Sequence, residues 1–535
     1  MAHSTSQEKS WTVDDLMKKS ELISEGTPAR YRLLTTRSNL DESGKIRKWT
    51  FGQREINTQN KIILLVGETG TGKTTLINTI VNYKLGVKFE DHVWFEITED
   101  SQNQTKDQTE SQTTEITVYE VLIQNSQVSV TIIDTPGYGD TRGKEYDIQI
   151  ADNLRKLFKN DTGVKEIDAV CLVVKASDNR LSDRQHYIFD ALLSLFGKDI
   201  EENIVIFATH SDGGTPTNVI SAIDKLKIPC KKTDPYRFNN RQAEDQTENG
   251  TFYKESWKGT EKNLTDFFTS LKDQKRTSLY MTESVLTEQI RLKACVSNLR
   301  ERIELKESKH KELVQIQEAL KQNQMQRNVN LPFNVTKYYK EKVTTENASW
   351  WDRKATCCSV CKENCHESNC WCAINPKLCE VMKDGHCTVC TGKCHHSKHI
   401  REKKKYVIKS KNDTMTYTDL IKFQESTDMA SEDTFLVELE ETENKNKSNM
   451  KTKEEIRIEE RLKAELIEIE KDKTRLVEEA WTTIIKLSKI TLKPDNDFIV
   501  KSLEFVLPRA KENEDPSWVQ KREKLSYCGE QDTEL

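Results

Sequence analysis

The chain has 535 residues, of which 35% are hydrophobic and 32% charged, and its formal net charge is −5. That balance excludes a bulk basic field for nucleic acid or anionic lipid, and 19 Gly and 10 Pro are too few for a collagen-like or Pro/Gly-rich disordered chain. No apolar run approaches the roughly 18 residues of a membrane span. The opening MAHSTSQEKS lacks the apolar core of a signal peptide, so the expected location is cytoplasmic.

Residues 1–60 read as a polar N-terminal segment with two patches, Tyr31–Leu34 and Trp49–Phe51, available to dock on a neighbour. Residues 61–275 alternate apolar runs (Ile62–Val66, Ile116–Ile123, Val128–Ile133, Ala169–Val174, Ile204–Ala208) with helical patterns near 73–82, 145–158, 182–196, 216–226 and 261–272. Such alternation predicts an α/β domain, a mostly parallel sheet with helices on both faces. The 116–133 pair, broken at Asn125-Ser126, predicts an antiparallel hairpin on that sheet.

Residues 279–325 contain neither Gly nor Pro, and Leu292, Val296, Leu299, Ile303, Lys306, His310, Leu313, Gln317 and Leu320 follow an imperfect heptad seam. A long helix or coiled coil is expected there. A second seam, Leu462, Leu466, Ile469, Lys473, Leu476, Ala480 and Thr483, predicts a second long helix over 453–492. The two arms pair with each other, pack on the sheet domain or dimerise alone. Between them lie a Cys/His-rich module at 350–400 and a basic strand and polar linker at 401–452; a tail follows at 493–535.

The strand Lys61–Val66 runs into Gly67-Glu68-Thr69-Gly70-Thr71-Gly72-Lys73-Thr74-Thr75, which is G-x4-G-K-[ST] between strand and helix, the context that confirms a phosphate loop. Glycines let successive N–H groups point at phosphate oxygens, and the helix N-terminus adds partial positive charge. Lys73 is expected on the β- and γ-phosphates and the Thr74 hydroxyl on Mg²⁺. Downstream, Val130-Thr-Ile-Ile-Asp134-Thr-Pro-Gly137 ends a strand on a carboxylate suited to Mg²⁺, with the Gly137 N–H in reach of a γ-phosphate. The polar stretch 99–115 reads as a loop that orders on the γ-phosphate, with Thr113 or Thr114 completing the Mg²⁺ shell.

With these elements, residues 61–272 resemble the immunity-associated nucleotide-binding GTPases, relatives of septins and of chloroplast import GTPases. The resemblance rests on Gly67–Thr75, Asp134–Thr141, Ile206–Asp212 and Tyr236–Arg241. It implies GTP/GDP as ligand, with Thr209, His210 and Asp212 matching the family's Thr-x-x-Asp element and Asp212 accepting the guanine N1 and N2 protons. It also places Asn239 or Asn240 beside the base. His210 stands where many GTPases carry Lys. Tyr138 stands where Ras-like enzymes carry a water-orienting Gln, so no local group activates water. Asn179-Arg180-Leu-Ser182 resembles the family's Gly-Arg-aromatic-Thr stretch, which makes Arg180 the expected charge-stabilising finger across a dimer.

Ten of the 14 cysteines fall between Cys357 and Cys394. Within that window Cys358-Ser-Val-Cys361-Lys-Glu-Asn-Cys365-His366 is repeated as Cys387-Thr-Val-Cys390-Thr-Gly-Lys-Cys394-His395. C-x2-C places two thiolates at adjacent corners of a tetrahedron, and the following Cys and His supply others, a donor set suited to Zn²⁺. Two structural Zn²⁺ ions are expected, with Cys357, Cys370, Cys372, Cys379, His396 and His399 as further donors. Disulfides and an Fe–S cluster are the competing readings. Arg401, Lys403, Lys404, Lys405 and Lys409 beside Tyr406 suggest contact with nucleic acid or acidic lipid, but a solvated charged face is favoured.

The leading expectation is a GTP-binding protein with slow, dimerisation-assisted GTPase activity, acting as a nucleotide-controlled switch or scaffold. It forms a homodimer or oligomer through its G domain, and its arms or zinc module engage an unnamed protein partner. The alternatives are an ATP-binding or non-hydrolysing protein, or a zinc-module reader of protein or nucleic acid regulated by the nucleotide domain.

Overall fold

The structure, a computed structural model, describes residues 11–41, 44–54, 58–98, 115–123, 128–138, 144–177, 193–225, 228–230, 234–247, 250–325, 331–344, 355–367, 375–416, 418–419, 453–492 and 497–511. The chain divides into two compact units: Met1–Glu288 with Lys486–Lys501, and Gln289–Ile485 with Ser502–Leu535.

The first unit contains strands β1 (Ser20–Ser24), β2 (Ala29–Leu33), β3 (Thr36–Asn39), β4 (Ile46–Gly52), β5 (Gln59–Gly67), β6 (Val93–Glu96), β7 (Ile116–Leu122), β8 (Val128–Asp134), β9 (Glu166–Ile167), β10 (Ala169–Lys175), β11 (Ile204–Thr209), β12 (Tyr236–Arg237) and β13 (Thr277–Ser278). Its helices are α1 (Val13–Lys18), α2 (Lys73–Leu85), α3 (Lys144–Lys159), α4 (Thr217–Lys225) and α5 (Gly250–Asp273). An eight-stranded sheet runs β12-β11-β10-β5-β8-β7-β4-β3. The β12 to β8 ladders are all parallel. β7 and β8 pair antiparallel, as expected for a hairpin.

The alternation in β5 explains why helices cover both faces. Ile63 and Leu65 pack with Leu76, Ile77 and Ile80 of α2 and Phe267 and Leu271 of α5. Leu64 and Val66 point the other way, into Ile150, Leu154 and Leu157 of α3. A strand apolar on both sides must be buried on both sides. At its foot, Lys61 and Asp168 are 3% and 0% exposed. Lys61 Nζ lies 3.2 Å from Asp168 Oδ1, Arg276 Nη2 lies 2.9 Å from Asp168 Oδ2, and the Ile62 N–H donates to the same carboxylate. Three donors around one carboxylate, two cations and one main-chain N–H, offset the cost of removing it from water.

The N-terminal stretch is more structured than a polar segment. β2 joins β1 and β6 in a separate sheet, with Tyr31 opposite Phe95. β4 enters the main sheet beside β7, burying Trp49 and Phe51. Both apolar patches are therefore used within this unit. The helical pattern near 182–196 lies mostly outside the described residues.

The second unit holds most of α6 (Tyr280–Met325), a single 46-residue helix, together with β14 (Phe333–Thr344), β15 (Ala355–Cys358), β16 (Glu363–His366), β17 (Met382–Lys383), β18 (His386–Cys387), β19 (His399–Glu402), β20 (Lys404–Met415), and parts of α7 (Lys453–Ile490) and α8 (Asp497–Lys511). On α6, Leu292, Leu299, Ile303 and Leu313 of the expected seam are buried, whereas His310 is exposed. Lys306 of α6 reaches Asp472 of α7 at 3.8 Å, one point where the two arms meet. β14 and β20 form a twelve-residue antiparallel ladder. Among the described residues, no helix is long and apolar enough to cross a membrane.

Candidate functional site

β5 ends at Gly67, and the loop that follows turns on Gly70 and Gly72, both in the left-handed region at φ 79° and 81°. α2 starts at Lys73. A Cβ on Gly67 would lie 2.4 Å from the Val173 carbonyl oxygen, so only glycine lets β5 approach β10 there. The loop is pinned from outside: Thr209 at the end of β11 donates through Oγ1 to the Thr71 carbonyl at 2.7 Å, and Thr71 Oγ1 donates to the Glu68 carbonyl at 2.9 Å.

Lys73 is 7% exposed and curls over the loop, donating to the carbonyls of Gly67 and Glu68 at 3.1 and 2.9 Å. Burial pushes its pKa down to about 8, against the pull of Asp134 and Glu68. Asp134 is 1% exposed at the end of β8, opposite Leu65. The turn after it packs directly on the loop. A Cβ on Gly137 would fall 2.4 Å from Thr69 Oγ1. The Tyr138 N–H donates to the Gly67 carbonyl and the Thr69 N–H to the Tyr138 carbonyl, at 3.1 and 3.2 Å. Thr135 Oγ1 donates to the Leu65 carbonyl at 2.9 Å. Thr69 Oγ1 is buried with no hydrogen-bond partner. A glycine-lined loop on a helix N-terminus, one buried ammonium and one such hydroxyl suit a polyphosphate chain.

On the base side, His210 sits at φ 52° and is exposed. Its Nε2 is 3.7 Å from where a Gly72 Cβ would be, so its ring borders the phosphate loop. Asp212 is exposed and accepts from the Gly214 N–H at 2.8 Å. Asn239 offers its carbonyl to Gln242 Nε2 at 2.9 Å, whereas Asn240 Oδ1 accepts from Thr79 Oγ1 of α2 at 3.3 Å. Thr74 is half-buried and Thr75 exposed on the first turn of α2. Thr113, Thr114 and Arg180 lie outside the described residues.

Two residues that the sequence reading passed over hold α2 to the strand leading into the 99–115 stretch. Asn82 bonds both main-chain groups of Phe95, at 2.6 and 2.9 Å, and Asn78 accepts from the Ile97 N–H at 2.9 Å. The available signal was two asparagines four apart on the buried face of a helix.

The cysteine module sorts its donors differently from the repeat. Among the described residues the cysteines are free thiols. Cys358, Cys361, Cys390 and Cys394 form one group whose ligand atoms lie within 4.8 Å of one another, and Cys365, Cys387, Cys390 and His399 form another. Each half of the repeat thus contributes to both groups, and Cys390 belongs to both. Cys361 Sγ and Cys394 Sγ are 3.7 Å apart, close to the edge of a tetrahedron with metal–sulfur bonds of about 2.3 Å. Main-chain donors point at the sulfurs: Cys361 N at Cys358, Cys390 N at Cys387, Gly392 N at Cys361 and Cys394 N at Cys390, at 3.3–3.4 Å. Such bonds favour thiolates. Hydrogen bonds from Cys365 and then Cys390 bring the Cys387 thiol down to about 4, while the same pairing with Cys387 pushes Cys365 well up. A Cβ on Gly392 would meet two sulfurs at 3.1 and 3.4 Å.

Neither repeat histidine joins these two groups: His395 falls in none of the clusters among the described residues, and His366 falls in a third one with Cys379 and Glu380. His395 Nδ1 faces Ser397 Oγ at 3.0 Å and its ring packs on His396. His366 lies beside Cys379. His399, in H-x3-H spacing with His395, takes the expected place because β19 pairs with β15 and brings it opposite Cys358. Two lysines of the basic strip are paired: Lys409 with Glu341 at 2.7 Å and Lys405 with Glu367 at 3.0 Å.

The septin family model matches residues 58–162. Septin-14 of Mus musculus is 28% identical over 189 residues, 35% of this chain and 38% of that protein. Septin-10 of Bos taurus is 39% identical over 87 residues, 16% of each chain. The chain thus spans under two fifths of the length of these curated relatives. A structure of Toc33 from Arabidopsis thaliana in complex with GDP and Mg2+ has 15% sequence identity and a TM-score of 0.25, covering 39% of this chain and 86% of that one. The family match, the parallel sheet and the loop on β5 together identify a P-loop GTPase fold in the first unit.

Proposed function

We propose that the protein binds GTP at the Gly67–Thr75 loop and hydrolyses it slowly, with help from a second copy, so that nucleotide state controls assembly. The observation that carries this is the closed contact between that loop and the Asp134–Tyr138 turn, with Lys73 buried between them. In this reading Lys73 exchanges the two loop carbonyls for phosphate oxygens, which favour its charged form against the cost of burial. Glu68, Gly70 and Gly72 shape the cradle, Thr69 gives its hydroxyl to a phosphate, and Thr71 transmits the anchor from Thr209. Thr74 and Asp134, with Thr113 or Thr114, would hold Mg²⁺, which neutralises phosphate charge when bound. The Gly137 turn, stitched through Tyr138 to the loop, is displaced or retained according to the γ-phosphate. Asp212 accepts from guanine, His210 packs by the loop, and Asn239 and Asn240 close the base side. Arg180 supplies charge across the dimer. This reading also retains the finer kinship with immunity-associated nucleotide-binding GTPases. The cysteine groups hold two structural zinc ions, and that module or the helical arms engage a partner protein.

Competition between labelled GTP and ATP tests base choice. GTP should win, and Asp212→Ala should weaken GTP about 100-fold, the loss of about 3 kcal/mol from charge-assisted bonds, with ATP unchanged. Mass in solution tests assembly: a dimer with a non-hydrolysable GTP analogue and a monomer with GDP are expected. A monomer in both removes the switch and the role of Arg180.

A further inference from the structure

We propose that His366, Cys379 and Glu380 hold a third metal ion, a divalent transition metal of zinc-like chemistry, separate from the two cysteine groups. His366 ends β16, and Cys379 and Glu380 follow the short helical turn Pro376–Leu378. His366 Nδ1 is 3.3 Å from Cys379 Sγ and 3.8 Å from Glu380 Oε2. The three ligand atoms lie within 4.8 Å of one another. A tetrahedral ion with bonds of about 2.3 Å to sulfur and 2.0 Å to nitrogen spaces those two donors about 3.5 Å apart, so the cluster is already near metal-binding size.

Burial sharpens the assignment. Cys379 is 2% exposed, Glu380 4% and His366 9%. A carboxylate taken that far from water is ordinarily paired or bound to a metal. Imidazole, thiolate and carboxylate together span the donor types that zinc accepts. The segment is also held in place without the ion. Arg291 Nε donates to the Glu380 carbonyl at 2.9 Å, and the Cys379 N–H donates to the Pro376 carbonyl at 3.1 Å. Cys379 and Val381 sit in the same apolar cluster as Cys365, Cys387 and Cys390. Three donors among the described residues leave a fourth position for water or another donor, unlike the two four-residue groups. The ion ties the 375–381 segment to β16.

The inference rests on the module being a metal-binding one, and metal counting separates the two claims. Native mass spectrometry and elemental analysis of the full chain should give three ions in the wild type and two in His366→Gln and in Glu380→Gln. Two ions in all three proteins, or three in all three, overturn the third centre and leave the zinc reading intact. Fewer than one ion in the wild type overturns both. Should the variants not fold, stepwise chelation of the wild type decides the matter. Release of one ion should make Cys379 the thiol that gains alkylation, and alkylation of Cys379 before any release contradicts the assignment.

Discussion

The phosphate loop and the cysteine module are both built from short motifs, yet one is complete in a single stretch of chain and the other is not. The loop's shape is written in nine consecutive residues, in which the left-handed Gly70 and Gly72 turn the chain and the helix starts at Lys73. The module's candidate donors are side chains brought together by strand pairing, and β15–β16 and β15–β19 decide which cysteine meets which. A repeat in sequence therefore does not become a repeat of sites.

The largest effect should come from the shared thiol. Cys390→Ser is expected to cost two ions per chain, Cys361→Ser only one, with loss of metal-linked folding on the order of 10 kcal/mol for a structural ion. Elemental analysis with thermal melting checks this, and equal losses in the two variants would break the claim that Cys390 belongs to both groups.

A smaller effect tests how far the loop depends on residues outside its motif. Asp168→Ala leaves Lys61 buried without its carboxylate at the foot of β5, and should lower unfolding free energy by about 3–5 kcal/mol. A loss under 1 kcal/mol by denaturant titration would show that the triad is dispensable.

Much of the first unit was legible for a physical reason. Apolar runs such as Ile62–Val66 and Ile204–Ala208 are buried on both faces and stand out from any helix pattern. The strands β1 to β4 were not legible; in Ile46–Gly52 Arg47 and Lys48 are adjacent and Arg47 has the same parity as Trp49 and Phe51, which masks the period of two. β14 was missed likewise; its Lys337 looks solvated until β20 supplies Asp413, and its own Glu341 pairs with Lys409 of β20. In the module, the C-x2-C spacing identified thiolate donors. It gave no means to choose His399 over His395, because that choice depends on the β15–β19 register.

The smallest effect is a pH dependence on α2. Burial, with Lys272 nearby, lowers the Lys84 pKa to about 8. Between pH 8 and its ordinary value the unfolded chain binds more protons at this site than the folded one, so its contribution to stability rises with pH in that window. Lys84→Met should lack this rise, by at most about 3 kcal/mol; parallel curves for wild type and variant would contradict the cause given.

The central claim is that the Gly67–Thr75 loop and Lys73 grip a guanine nucleotide. Calorimetric titration of GTP with Mg²⁺ into wild type and Lys73→Met tests it most directly. Saturable binding weakened about 100-fold in the variant, the loss of about 3 kcal/mol, is predicted, with the variant still folded. No heat from folded wild type at millimolar GTP, or equal affinity in the two proteins, would contradict it.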